Sequence, residues 1–317
     1  MIVFNKKRFL EGVSKGTFDF SNASRALKDD EEVAIFCAKH GKSNEVYPNL
    51  SRRLKNSPEF LLDLVSSNGL ELKYMHDYRG NEKFVETAVI SNKDAFFYAT
   101  KTLKKDKDFL LNLVSKNAFV YKELEFGFDQ NEDITKMAIT TNALVYKDIH
   151  EKFKDREDFA LLAVSGNSYV YNFLSPTLKE NKQVICTALN QSDAFTYFLY
   201  RDRIPEKLRE DEDVALCACR NQVDCIRDIP TNLFRKNDFQ LKLVTYIEET
   251  SEQMMASNKE EDIQSARDFE GYAKKLFLDR RDSMLEEINA QNALEVLGMC
   301  KDIDNVEWIT GSIYYEE

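Results

Sequence analysis

Leu103-Lys-Lys-Asp-Lys-Asp-Phe109 returns as Phe153-Lys-Asp-Arg-Glu-Asp-Phe159, with Leu27-Lys-Asp-Asp-Glu-Glu-Val33 upstream and Leu208-Arg-Glu-Asp-Glu-Asp-Val214 downstream. Each copy runs from a large apolar residue through a basic residue, two mostly polar positions and an acid or amide to a second large apolar residue. Taking that second residue as an anchor extends the series to Phe9, Val33, Phe60, Phe84, Phe109, Ile134, Phe159, Val184, Val214 and Phe239. Four consecutive anchor spacings are 25 residues, and the others range from 24 to 30. Self-similarity at this period marks a repeat architecture, which sets the frame for everything else in the chain.

Downstream of the anchors, apolar residues stand four and five positions on, as in Leu64 and Val65, Leu113 and Val114, Ala163 and Val164. Anchor, +4 and +5 share one face of an α-helix. Three positions before the anchors stand Asp30, Ser57, Asn81, Asp106, Asn131, Asn181 and Asp211, residue types that accept a hydrogen bond from a free N–H of the first helical turn. At +8, Asn68, Asn92, Asn117, Asn142 and Asn167 are expected to end the helix in a left-handed residue. A second apolar set at +12 and +15, such as Tyr146 with Ile149, predicts a second short helix. Two such helices are too short to be stable alone, so the units must stack. The fold class expected is all-α: an α-solenoid of about nine or ten two-helix repeats over residues 1–247, with a weak first copy at 1–23. Residues 248–317 read as longer acidic helices capping its end, with Trp308, Ile309 and Ile313 as a final anchor.

The whole chain carries a net charge of −11, and all of it falls on the segment from Glu248 onward, so the first 247 residues are neutral. A neutral body lacks the positive field that phosphate backbones require, and nucleic acid is therefore disfavoured as a partner. No stretch approaches the roughly 20 apolar residues of a membrane span. With no N-terminal signal pattern, the expected location is cytoplasmic and the six cysteines are expected to be reduced.

The repeated phrase, with its acid, anchor, Ala-Val pair and late Asn, resembles the helical repeat family catalogued as domain of unknown function 4116, over residues 24 to about 247. The resemblance implies a helical repeat architecture and supplies no catalytic residue. Such repeats occur in protists and in intracellular bacteria that secrete effectors, so delivery into or action within a host cell is the associated expectation.

Signatures of chemistry are sparse. The ten glycines form neither G-x-G-x-x-G nor a P-loop, and no G-x-S-x-G elbow occurs. His40, His76 and His150 sit in separate units, too far apart to share a metal. Cys217 and Cys219 are two apart on a helix and point to different sides, and paired Cys-x-x-Cys spacing is absent, so no metal and no cofactor are expected. A basic row five positions before the anchors, from Lys28, Lys55, Arg79 and Lys104 to Lys154, Lys179 and Arg209, is expected to be neutralised by an acidic row one position before them.

What remains is a non-enzymatic scaffold binding another protein, as an effector or inhibitor of a host or rival partner. A nucleic-acid-binding solenoid using the basic row, and an enzyme with its site between the repeats and the C-terminal helices, are the competing classes. The partner-binding residues expected are those at +13 and +14: Tyr74, Tyr98, Phe173 and Phe198 with Lys73, Lys122, Lys147 and Arg227. Aromatics bordered by cations match the composition of interface hot spots. Identity of the partner, oligomeric state and the face used are open at this level.

Overall fold

A computed structural model describes residues 2–41, 45–190, 194–256 and 260–287, and among these the chain is helical without a strand. An isolated parallel bridge, Val3 to Ala23, ties down the N-terminus. The α-helices of eight or more residues are α1 (Lys6–Ser14), α2 (Glu31–His40), α3 (Pro58–Ser67), α4 (Glu82–Ser91), α5 (Lys107–Lys116), α6 (Glu132–Thr141), α7 (Glu157–Gly166), α8 (Lys182–Leu189), α9 (Glu212–Asn221), α10 (Asn237–Met255) and α11 (Glu260–Glu287). Each helix from α1 to α10 carries one anchor, and every anchor is buried. The capping residues also act as the sequence indicates. Asp30, Ser57, Asn81, Asp106, Asn131, Asn181 and Asp211 each accept a hydrogen bond from the anchor's own N–H, through a side-chain oxygen.

The second element of six units differs from expectation. It is a six-residue 3₁₀ helix at Gly69–Tyr74, Lys93–Tyr98, Ala118–Glu123, Ala143–Asp148, Ser168–Phe173 and Val223–Asp228, whereas the unit of Val33 has the one-turn α-helix Val46–Asn49 and that of Val184 the α-helix Ala194–Phe198. A one-turn α or 3₁₀ helix then leads to the next long helix. The +12 and +15 spacing suits three residues per turn as well as 3.6, so apolar periodicity alone does not separate the two helix types. The late asparagines explain the choice. Asn68, Asn92, Asn117, Asn142 and Asn167 are not left-handed; their φ angles lie between −145° and −164°. Each turns its side-chain oxygen forward to accept from the N–H two residues on, starting the 3₁₀ helix rather than merely ending the α-helix. The +12 tyrosines do more than fill space. Tyr146 and Tyr171 are buried and donate their hydroxyls to the carbonyls of Lys154 and Lys179 at 2.7 Å, tying the return turn to the 3₁₀ helix.

The chain divides after Lys154 into two compact units. In the first, α1 to α6 pack each on the next, and the 3₁₀ helices at 69–74, 93–98, 118–123 and 143–148 form a second row beside them. In the second, α7 packs on α8, α8 on α9 and α9 on α10. Here α11 lies against α10 and against the 3₁₀ helix at 223–228, where Arg280 donates to the Ile229 carbonyl at 2.9 Å and to the Thr231 hydroxyl at 2.8 Å. Trp308, Ile309 and Ile313 lie outside the described residues.

One buried acid breaks the pattern. Position +11 is Ala95, Val120, Val145 and Val170 elsewhere, but Glu71 in the unit of Phe60, and it is fully buried. Its carboxylate accepts from Val46 N at 2.9 Å and Tyr47 N at 2.8 Å, capping the one-turn helix Val46–Asn49 of the preceding unit. Burial raises its pKa from 4.5 more strongly than these two hydrogen bonds lower it. A folded pKa above the unfolded one means the folded state holds the proton longer, so this group lowers stability as pH rises above about 4.5. The melting temperature of wild type minus that of Glu71→Gln should therefore fall between pH 4.5 and 7, since the amide does not titrate. A difference that grows with pH would contradict this account.

Candidate interaction surface

With three residues per turn, +9, +12 and +15 line one edge of each 3₁₀ helix, +10 and +13 a second, and +11 and +14 a third. The structure follows this division. Residues at +9, +11 and +12 are mostly buried, as Ala118, Val120 and Tyr121 illustrate, whereas +10 and +13 face solvent. Large aromatics occupy that outer edge: Phe97 is 74% exposed, Phe119 46% and Tyr169 50%. Phe126, 51% exposed, adds to it from the turn after the third 3₁₀ helix, at a positive φ of 61° beside Gly127. Phe97, Phe119, Phe126 and Tyr169 were not among the residues expected from sequence: Phe119 and Tyr169 stand at +10 and Phe126 at +17, outside the +13 and +14 positions selected, whereas Phe97 stands at +13, where only the cations were singled out.

Cations accompany these rings. Lys104 is itself buried, with its ammonium 5.4 Å from the Phe97 centroid and 5.5 Å from that of Phe96, and it pairs with Glu125 at 2.9 Å. Lys105 sits over Phe126 at 4.6 Å. Lys93 bridges Asp94 at 2.7 Å and Glu123 at 2.9 Å, and these hydrogen bonds, the Asp94 one first, raise its pKa.

Of the residues expected from sequence, Tyr74, Tyr98, Lys73, Lys122 and Lys147 belong to the first unit. Tyr74 and Tyr98 are half-buried. The Tyr74 hydroxyl donates to Glu45 at 3.2 Å under the Lys73 ammonium, and Tyr98 packs edge-on to Phe97 beneath the Arg79 guanidinium. Lys122 is exposed and pairs with Asp148 at 2.8 Å, and Lys147 is exposed on the next 3₁₀ helix. The neighbouring 3₁₀ helices carry these five on successive steps of one row. Phe173, Phe198 and Arg227 belong to the second unit. Phe173 meets Tyr169 edge-on at 5.7 Å, Phe198 meets Tyr197 at 5.8 Å, and Arg227 holds Asp224 and the Tyr272 hydroxyl, both at 3.3 Å. Beside the Tyr169 ring opens a cleft of about 540 Å³ lined by Asn172, Lys179, Phe195, Asp202 and Arg203.

The basic row does not pair with the acidic row; three of its members are hydrogen-bonded to backbone carbonyls, while Lys104 pairs with Glu125 and Lys154 with Glu151. Lys55 donates to the Pro48 carbonyl, Arg79 to those of Leu72 and Lys73, and Lys179 to that of Asn172, each reaching back about seven residues to a helix end. The acids one position before the anchors instead pair with cations at the start of the preceding long helix: Lys6 with Glu32, Lys107 with Asp133 and Lys182 with Asp213.

Among the described residues no group of three or more potential ligands could hold a metal ion. His150 accepts from the Lys152 N–H, and His40 rests on Phe36 at 4.6 Å. Cys37, Cys219 and Cys225 are buried, and burial pushes the thiols of Cys37 and Cys225 up to about 12. Where the C-terminal helix meets the repeats, a cleft of about 370 Å³ is lined by Glu206, Arg209, Glu210, Arg227, Asp228 and Arg280, with acids and arginines alternating. No described helix is long and apolar enough to cross a membrane.

Residues 81–126 and 131–179 each match the family described as Domain of unknown function (DUF4116). Both matches begin on a helix-capping asparagine, Asn81 or Asn131, and each spans two of the 25-residue periods. Comparison with curated proteins and with solved structures found no match.

Proposed function

We propose that the protein is a non-enzymatic scaffold, an α-solenoid of nine or ten stacked repeats, that binds another protein along the outer edge of its 3₁₀ helices. The supporting observation is the run of solvent-facing rings at Phe97, Phe119 and Phe126 in the first unit, held beside Lys104, Lys105 and Lys122. Exposed aromatic area next to cations is costly to leave in water without a use, and a partner segment carrying carboxylates beside large apolar side chains would cover it. In this reading Lys73, Tyr74, Tyr98 and Lys147 border the same row, Tyr169, Phe173, Phe198 and Arg227 serve the second unit, and the biological role is that of an effector or inhibitor.

A combined Phe97→Ala and Phe119→Ala variant tests the reading. Both rings are exposed, so the melting temperature should stay within about 2 °C of wild type, while partner capture by crosslinking falls at least tenfold. Capture that is unchanged at normal stability would end the proposal. The nucleic-acid alternative predicts affinity falling steeply with salt, and the return of Lys55, Arg79 and Lys179 to backbone carbonyls leaves fewer cations for it.

A further inference from the structure

The period from Val184 to Val214 is 30 residues, the longest in the chain. Its second element, Ala194–Phe198, runs into a π-helical turn, Leu199–Arg203, closed by the hydrogen bond from Ile204 N to the Leu199 carbonyl at 3.0 Å. Such wide turns are rare and recur at functional sites. This one places Asp202 and Arg203 in the lining of the cleft of about 540 Å³, a size within the range of small-molecule sites. The preceding unit contributes Tyr169 and Asn172 from the 3₁₀ helix Ser168–Phe173, and Lys179 from the one-turn helix Pro176–Lys179. Two features of the lining are complementary. Its charge is positive in effect, because Asp202 is held by Arg201 through two bonds of 2.9 Å, a pairing that keeps its carboxyl below the usual range. Lys104 and Lys154, at the place of Lys179 in other units, each have a carboxylate partner, whereas Lys179 donates only to the Asn172 carbonyl at 3.0 Å. Arg203 makes no ion pair or hydrogen bond among the described residues. The other feature is aromatic: the Tyr169 and Phe195 rings meet at 5.3 Å between centroids and 64° between planes, an angled apolar wall.

We propose that this cleft is a binding site for a small aromatic anion, a planar ring carrying a phosphate or a carboxylate, and that it acts independently of the partner surface of the first unit. The Arg203 guanidinium presents paired N–H groups that match two oxygens of either anion, and Lys179 adds a second positive charge from the neighbouring unit. The Tyr169 and Phe195 rings cover the flat part of the ligand. Asn172 commits its amide nitrogen to the Tyr169 carbonyl at 3.1 Å, so its side-chain oxygen accepts from a ring N–H or a hydroxyl. A neutral ring lacks the group that Arg203 and Lys179 select, and a bare anion leaves the aromatic wall uncovered, so full affinity requires both halves in one molecule. The residues that lengthen this period are the ones that supply Arg203, which ties the departure from 25 residues to the site.

Isothermal titration calorimetry of the full chain provides the test, with adenosine monophosphate as the phosphate probe and indole acetate as the carboxylate probe. At least one of the two is expected to bind at a single site, and the stronger of them identifies the anion. Its separate halves, adenosine and ribose phosphate or methylindole and acetate, should each bind at least about tenfold more weakly. Arg203→Gln and Tyr169→Ala remove one half of the site each and should each weaken binding of the intact probe by about tenfold or more. The Arg203 side chain is exposed, so its variant should melt within about 2 °C of wild type. Absence of binding by both probes, equal affinity for the ring or the anion alone, or unchanged affinity in either variant would overturn the proposal.

Discussion

Phe159→Ala is expected to cost about 3–5 kcal/mol, read as a lower urea midpoint at an unchanged slope. The ring is the anchor of α7 and has no exposed surface, and the Arg156 guanidinium lies 4.7 Å over its face. Its loss removes the apolar contact that joins α7 to α8 and strips a cation of its aromatic partner. Neighbours cannot collapse into the gap easily, because Ala163 and Val164 on the same face are small and already fully buried. Set against a typical stability of about 5–15 kcal/mol, a loss of this size leaves the second unit marginal. A midpoint shift equivalent to less than about 1 kcal/mol would remove Phe159 from the core and the anchor series with it.

Gly69→Ala carries the second large effect. Gly69 is at +9, where Ala118 and Ala143 occupy the equivalent positions of other units and carry a methyl without difficulty. A Cβ built on Gly69 would lie 2.0 Å from the Ala88 carbonyl oxygen and 2.9 Å from its carbon. The obstacle is backbone of α4, which cannot swing aside as a side chain can. The φ of Gly69 is not positive, so steric exclusion rather than conformational freedom requires glycine here. Separating the two backbones should cost about 1–3 kcal/mol, with disruption of the hydrogen bond from Gly69 N to the Ser91 hydroxyl adding to it. Ala118→Gly, at the same register, should cost only about 0.5–1 kcal/mol. Equal melting temperatures for Gly69→Ala and wild type would show that the close approach relaxes freely.

What could be read from residue order was the part governed by local rules. The anchors and the capping residues three before them depend on neighbours within one helix, and all are placed as the periodicity requires. The 3₁₀ helices were not distinguishable, because Tyr146 and Ile149 at a spacing of three satisfy either helix type. That ambiguity carried forward to the surface: the α-helical reading selects +13 and +14, with Tyr74 and Tyr98 at +14, whereas three residues per turn also exposes +10, where Phe119 and Tyr169 stand. Glu71 was invisible for a different reason. Its meaning comes from residues 24 and 25 positions away, which only the packing of one unit on the next brings within reach.

The inter-helix ion pairs also bear on how such a chain can change its length over generations. Lys107 finds Asp133, and Lys182 finds Asp213, one period or slightly more ahead, while the late asparagines cap within their own period and Asn117 also donates to the Val89 carbonyl of the copy before it. No bond of this set reaches past the adjacent copy. Unequal crossing-over that duplicates or deletes one whole period therefore rejoins a donor to an acceptor of the same kind, and the two new neighbours meet with caps, anchors and charges already matched. An insertion of any other length breaks that match at once, so selection on the gene should tolerate gains and losses in steps of about 25 codons and few others.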